Sequence, residues 1–430
     1  MRKFIEKYAK LNRVAVCNDT NLVAEAVAKE LNGEIISIPS GKECLTWIIP
    51  DAWKVNKAYI ATLDGEKIVD FHDNPMHLFA YSCSFRGILP REELERHLLF
   101  DATHPNDIPH HYRYQYAYGA KGWGFCVPYA TYKRMHKDKY EVVIDSTFFP
   151  GEMKIADCYH KGESEDTILI AAHNCHPAQV NDGLAAVAAG IKLFEYLRKQ
   201  KTRYSYRLVI GPEFYAAAGF LAKAKGIGKI RYGLYLDILA HDGPIGFSHS
   251  FARNSYMDKV VRNVMRAQGR HFSVYDYREL YGNDEFFYDG PDYRIPVVCI
   301  GRSNFSRYHL DSDNVENCNF LKLEDSVELL KSFVRVFEAD IVPNRQYRGP
   351  LYLSRYGISK DSKADKVPET AIDKIQILMD GKNSCLEIAE AINADFNFVY
   401  EFTQELIEKK LVKIKSPKAM SRYNKKEVSD

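Results

Sequence analysis

No Cys-x-x-Cys pair occurs in these 430 residues, and the nine cysteines, at 17, 44, 83, 126, 158, 175, 299, 318 and 385, are odd in number and scattered. That pattern excludes a disulfide framework and a structural thiolate zinc site, and leaves the thiols as small buried apolar groups of a reducing compartment. The opening MRKFIEKYAKLNRVAVCNDT lacks an apolar stretch and a small-residue cleavage site, and no later run is long enough to span a bilayer. A cytoplasmic protein without membrane contact is therefore expected. Charge of one sign is missing too: 59 basic against 57 acidic side chains leave +2, which calls for neither nucleic acid nor an anionic surface. No HExxH motif occurs, so any metal chemistry has to come from residues dispersed along the chain.

What the chain does have is apolar content of 46%, enough at this length for a large core and two or three domains. Tyr (29) and Phe (23) are plentiful, and HHYRYQYAYGAKGWGF at 110–125 reads as aromatic packing or a substrate-facing surface. Residues 5–32 carry helical apolar spacing around the capping candidates Asn18, Asp19 and Thr20, and IISIP at 35–39 reads as a strand. From 56 to 140 the pattern is of short strands and turns, with one helix opened by Pro90 through REELERHLLF; it reads as an inserted small β-rich domain.

The organisation then changes. Strands EVVIDSTF, TILIAAH, YRLVIGPE, YGLYLDILA and IPVVCIG alternate with amphipathic helices such as LAAVAAGIKLFEYLRK and MDKVVRNVMRAQG. That alternation predicts an α/β domain, assembled from residues 1–55 and 141–350, around a largely parallel sheet. A polar linker at 355–369 precedes three helical patterns and a short strand, the order of a winged-helix domain over 362–420, before a polar end SPKAMSRYNKKEVSD. Its third helix carries Glu401, Glu405 and Glu408, unsuited to a nucleic-acid groove, so the module is expected to pack or to join copies of the chain into a homo-oligomer.

In parallel sheets ligands gather beyond the carboxyl ends of the strands. There the sequence places His173, with Cys175, His176 and Asp182 following; Glu213; Asp237, with His241 and Asp242 beyond; and a loop with His309 and Asp313. Imidazoles and carboxylates on separate loops suit Zn²⁺, as one or two ions.

The segments IPSGKECLTWIIPDAWKVNKAYI, HLFAYSCSFRGILPREELERHL, YAYGAKGWGFCVP, HNCHPAQVNDG, GPEF, HDGP, YGNDEFF and YHLDSDN occur in an order that resembles a bacterial family of M28-like aminopeptidase-domain proteins found among polysaccharide-biosynthesis genes. The resemblance implies a zinc-aminopeptidase-like (phosphorylase/hydrolase-like) mixed sheet flanked by helices, an inserted small domain and a C-terminal winged helix. It implies that Asp182 bridges two ions, one also held by Glu213 and His309, the other by His173 and Asp242. His176 is a competing or additional ligand, Asp237 competes with Asp242, and Asp313 is placed to orient His309. The implied activity is metal-dependent hydrolysis of an amide bond in a small peptide or an N-acylated, sugar-like substrate. The alternative is a binding or assembly protein that keeps the scaffold. Two departures stand out: Pro212 occupies the position where the broad clan carries a glutamate base, and Cys175 the position of an orienting aspartate. Glu285 of NDEFF is the expected substitute base.

Overall fold

TILIAAH and SYRLVIG are buried at every position, as strands covered on both faces must be, and they lie at the centre of the main sheet. The computed structural model describes residues 1–269, 271–359 and 370–415; the expected polar end and most of the expected linker lie outside the described residues. Eight strands form this sheet: β1 (Glu34–Pro39), β2 (Glu152–His160), β3 (Thr167–His173), β4 (Ser205–Gly211), β5 (Ile230–Leu236), β6 (Ile245–Ser248), β7 (Ser273–Tyr275) and β8 (Val297–Arg302). Their spatial order is β1-β2-β4-β3-β5-β8-β6-β7. The four strands β4, β3, β5 and β8 are mutually parallel, while β2 and β6 join them antiparallel on either side. The sheet is mixed, and its parallel centre points four carboxyl ends the same way.

Period-two alternation decides what covers each face. Ile168, Ile170 and Ala172 of β3 pack with helices α1 (Asn18–Glu30), α2 (Ala186–Leu197), α4 (Tyr256–Ala267) and α5 (Phe320–Ala339). Leu169 and Ala171 face the other way, toward α3 (Tyr215–Lys223) and a second, smaller sheet. That sheet is antiparallel, in the order Lys67–Asp70, Ala52–Ala61, Lys139–Phe149, Phe85–Pro90. EVVIDSTF, expected in the α/β domain, therefore belongs to the small sheet, and β2 takes the place in the main one. Two helix expectations are shortened. The 5–32 pattern is broken between Tyr8 and Asn18, where the Cys17 side chain accepts the Thr20 amide and caps α1. REELERHLLF is helical only over Arg91–Glu95, after which Leu98–Leu99 pairs with Phe125–Cys126.

The C-terminal helices Ala371–Leu378, Cys385–Ile392 and Phe396–Glu408 are followed by the strand Val412–Ile414, which pairs antiparallel with Pro343–Arg345. Their apolar faces, expected to pack or to join copies of the chain, join the core beneath α4 and α5 of the same chain. Polar ties lock this contact. Glu390 takes Arg262 and Arg266, the Asn263 side chain donates to the Ala394 carbonyl at 3.0 Å and accepts the Phe396 amide at 2.9 Å, and Asp340 accepts Tyr256 Oη at 2.7 Å and the Leu386 amide at 3.0 Å. Among the described residues no helix is long and apolar enough to cross a membrane. Because Glu390 answers two guanidinium groups, Glu390→Ala takes the carboxylate from both at a partly covered surface and leaves Arg266 its bond to Asn393 Oδ1. Thermal melting should shift down by a few degrees, and limited proteolysis should release the C-terminal helices faster than in the unaltered protein.

Candidate metal centre

The four parallel strands deliver their next residues to one place. His173 is the last residue of β3, Asp237 directly follows β5, Glu213 follows β4, and His309 lies in the loop after β8. Asp182 enters from the irregular turn Asn181–Ala185 that opens α2, with φ −89° and ψ 76° breaking the helical run at that residue. Three positions beside the ligating groups hold strained left-handed backbone: Phe214 (φ 62°) after Glu213, Ile238 (φ 44°) after Asp237, and His309 itself (φ 59°). Such strain persists only where the surroundings over-determine it, and it clusters at functional sites.

The two oxygens of Asp182 face different partners. Its Oδ1 lies 3.2 Å from His173 Nε2, which is in turn 3.4 Å from Asp237 Oδ1. Its Oδ2 lies 3.2 Å from His309 Nε2. His176 Nδ1 sits 3.5 Å from Asp182 Oδ1 and 3.2 Å from His173 Nδ1. Ligand atoms of His173, Asp182 and Asp237 all lie within 4.8 Å of one another, as do those of His176, Asp182 and His309, and of His173, Cys175 and His176. The decisive observation concerns satisfaction. His173 Nε2, His309 Nε2, Asp182 Oδ2 and Asp237 Oδ1 are buried and, among the described residues, have no hydrogen-bond partner. Buried polar atoms are normally paired, and four orphans converging on one carboxylate form a donor set for one or two divalent ions of the zinc type.

The electrostatics agree. Burial alone would drive the His173 imidazole down, but Asp237 and Asp182 outweigh it and hold its pKa well above the ordinary value. Burial depresses His176 well below the usual histidine range, leaving it neutral. Burial opposes ionisation of Asp182, yet His176, His173 and His309 together pull its pKa well below that of a free carboxyl. Burial raises Asp237, Asp284 and Glu285, the last to about 7.

Not every expected residue joins the cluster. Asp242 does not: it is exposed and accepts the Asn319 side chain at 2.7 Å, because the chain has already turned away past Leu239, whose carbonyl is bound by Arg302. Asp237, its competitor, takes the position. Glu213 stands at the edge, its Oε2 accepting Tyr116 Oη at 2.9 Å and its amide donating to Cys175 Sγ at 3.1 Å. Asp313 was expected to orient His309; instead it accepts the amides of Asn181 at 2.8 Å and Asp182 at 2.9 Å and so fixes the bridging residue's turn. Glu285 is linked to Asp237 through Asn283, whose amide donates to Glu285 Oε2 at 3.1 Å and whose side chain donates to Asp237 Oδ2 at 2.5 Å. Glu285 Oε1 is buried without a partner.

Sequence reasoning missed what the segment at 108–116 brings. Pro109 bridges to Leu310, the His110 amide donates to the His309 carbonyl at 2.8 Å, and Asp311 Oδ1 accepts the Ile108 amide at 2.7 Å. The His110 ring lies 5.4 Å from His176 and 5.6 Å from His309, and the exposed Tyr112 and Tyr308 flank His309 at 5.1 and 3.9 Å. The only signal was the aromatic run itself, which could not say which of its rings faced the site.

With this geometry in view, likenesses to known proteins follow. The family described as Domain of unknown function (DUF4910) matches residues 2–340. A Clostridium acetobutylicum protein, provisionally named a polysaccharide biosynthesis protein with aminopeptidase-like domain, is 28% identical over 421 residues, covering 95% of either chain. A crystal structure from Clostridium acetobutylicum, provisionally designated a peptidase, superposes with a TM-score of 0.86 at 26% identity, over 96% of this chain and 95% of that one. BSAP, a zinc aminopeptidase from Bacillus subtilis, superposes with a TM-score of 0.55 at 10% identity, over 77% of this chain and 93% of its own, a likeness of fold. The α/β architecture is thus zinc-aminopeptidase-like, with further helical and β elements beyond that core.

Two substitutions test the centre. Asp182→Ala should abolish tight zinc binding while circular dichroism stays unchanged, since a core of this size does not need a metal. A Cβ at Gly183 would lie 2.3 Å from the His173 carbonyl oxygen and 2.8 Å from its ring Nδ1. Gly183→Ala should therefore displace the imidazole and weaken zinc at least about tenfold in a chelator competition.

Proposed function

Because this chain belongs to the family described as Domain of unknown function (DUF4910), we propose that it is a metal-dependent hydrolase of the aminopeptidase type, acting on an amide bond in a small peptide or an N-acylated, sugar-like substrate. The observation that carries the reading is the Asp182 carboxylate with its two oxygens turned to different imidazoles amid orphaned buried ligand atoms. On this reading His173 and Asp237 would hold one ion and His309 and Glu213 a second, with Asp182 available to both and His176 as a further imidazole ligand. When bound, such an ion polarises the amide carbonyl and lowers the pKa of a water molecule.

The chain's own residues then have to manage the proton. Pro212 has no group to accept one. Glu285 has a buried, unpartnered Oε1, a link to Asp237 through Asn283, and a pKa raised by burial to about 7, suited to taking a proton from water and returning it to the leaving amine. Tyr116 Oη holds Glu213, and the exposed rings of Tyr112 and Tyr308 at the His309 edge form a wall for substrate. The names of the Clostridium relatives, which join polysaccharide biosynthesis with an aminopeptidase-like domain and a peptidase designation, support both substrate classes.

The same reading divides the chain into an α/β domain, a small domain that takes in the strands Ala52–Ala61 and Lys139–Phe149, and a winged-helix module whose expected residues 362–369 and 416–420 lie outside the described residues. Nine free cysteines, all buried except Cys83, support a reducing, cytoplasmic setting. Glu401, Glu405 and Glu408 argue against nucleic acid as a partner. Self-association through the module would have to use surface other than that spent on α4; Ile377, 68% exposed, is an apolar candidate. One observation favours a second reading, a binding protein on the same scaffold: the replacement of the clan's usual base by Pro212.

A panel of aminoacyl amides and N-acylated amino sugars, with zinc measured in the same samples, separates the two readings. Glu285→Gln should keep its metal and lose turnover by about 10²- to 10⁴-fold. Since the acting form of Glu285 is deprotonated, wild-type activity should rise with pH through about 7 and the rise should vanish in the variant. A fully metal-loaded wild type inactive on the whole panel would shift the conclusion to the binding protein.

A further inference from the structure

Between His173 and Asp182 the chain crosses from β3 to α2 without regular structure, so its backbone groups need partners from elsewhere. One of these partners is Arg13, fully buried, in the segment between the first helix (Arg2–Tyr8) and α1. Its Nε donates to the Asn174 carbonyl at 3.1 Å and its Nη2 to the Gln179 carbonyl at 2.5 Å, while Nη1 donates to Tyr8 at 2.6 Å and Ala9 at 3.3 Å. All four acceptors are main-chain carbonyls, so this cation is buried without a carboxylate bonded to it. Neighbouring ties follow the same direction: the Ala178 amide donates to Leu11, and Asn174 Nδ2 to the Thr20 carbonyl at 3.1 Å. Asp313 holds the far end of the loop through Asn181 and Asp182.

We propose that Arg13 is a positioning residue for the metal centre, holding the loop that carries His176 and leads to Asp182 in ligating shape before an ion arrives. The reason lies in the donor inventory. A planar guanidinium presents five N–H groups in a fixed fork and joins two points of the loop to the end of the first helix at once; an ammonium has neither the reach nor the fixed directions. Burial lowers the Arg13 pKa only to about 10, so the fork is charged and complete at neutral pH. This role rests on the reading of His173, His176 and Asp182 as ligands, and adds to it that the N-terminal segment forms part of the centre.

The test uses the full chain with Arg13→Lys and Arg13→Met. Circular dichroism and melting of the metal-free proteins are compared with zinc affinity by chelator competition and with the visible absorption of Co²⁺-loaded samples, which reports ligand geometry. Zinc affinity should fall roughly 10- to 100-fold in both, and the cobalt bands should shift, while far-ultraviolet circular dichroism is retained. A lowered melting temperature with wild-type affinity and cobalt spectrum would mean a merely structural arginine and overturn the proposal. If neither variant folds, Asn174→Ala, which removes a neighbouring tie on the same loop, decides by the same readouts, and unchanged affinity again overturns it. Failure of the wild type itself to bind zinc or cobalt would instead overturn the ligand assignment on which the role depends.

Discussion

Everything around this centre is arranged so that one carboxylate can look two ways. Asp182 needs each oxygen free of competing hydrogen bonds, yet it is buried, where an unpaired anion is costly. The conflict is resolved by geometry. The backbone leaves helical dihedrals at Asp182, and Asp313 takes the amides of that turn, leaving the Asp182 oxygens to His173 and His309. Gly183 is small because the His173 ring occupies the space where a Cβ would stand.

The acidic surroundings follow from the same demand. Asp237, Asp284 and Glu285 all have raised pKa values for the same first reason, burial. They are not spread evenly around the centre: Asp237 touches His173, Asp284 takes the Phe214 amide at 2.5 Å, and Glu285 lies behind Asn283. Burial works against carrying several negative charges in one place, and a cation arriving among these carboxyls would relieve that cost.

Much of this was legible in the sequence. The alternation of apolar strands with amphipathic helices announced the α/β core, and the strand-end rule marked His173, Asp182, Glu213, Asp237 and His309 together with Cys175, His176, His241, Asp242 and Asp313, without ranking them. The choice between Asp237 and Asp242 was not legible, because both follow the same strand and only the turn after Leu239 sends Asp242 to the surface. Nor was the role of Asp313, since a carboxylate near a histidine in sequence says nothing of which amide it meets in space. Arg13 was invisible for a different reason: all its acceptors are main-chain carbonyls, two of them more than a hundred positions away, and backbone atoms leave no pattern in a sequence. His110 and Tyr116 sat in an aromatic run that was noticed, but a run of rings carries no direction.

The bridge between Pro109 and Leu310 has an evolutionary consequence. Insertions between strands are commonly exchangeable, because their ends are close and their contacts are their own. Here the insertion meets the main domain at the residue beside His309, at Asp311 through Ile108, and at Glu213 through Tyr116. An exchange that replaced residues 108–116 would remove part of the centre's wall along with them. The two regions share these few contacts, so a change on one side calls for a compensating change on the other.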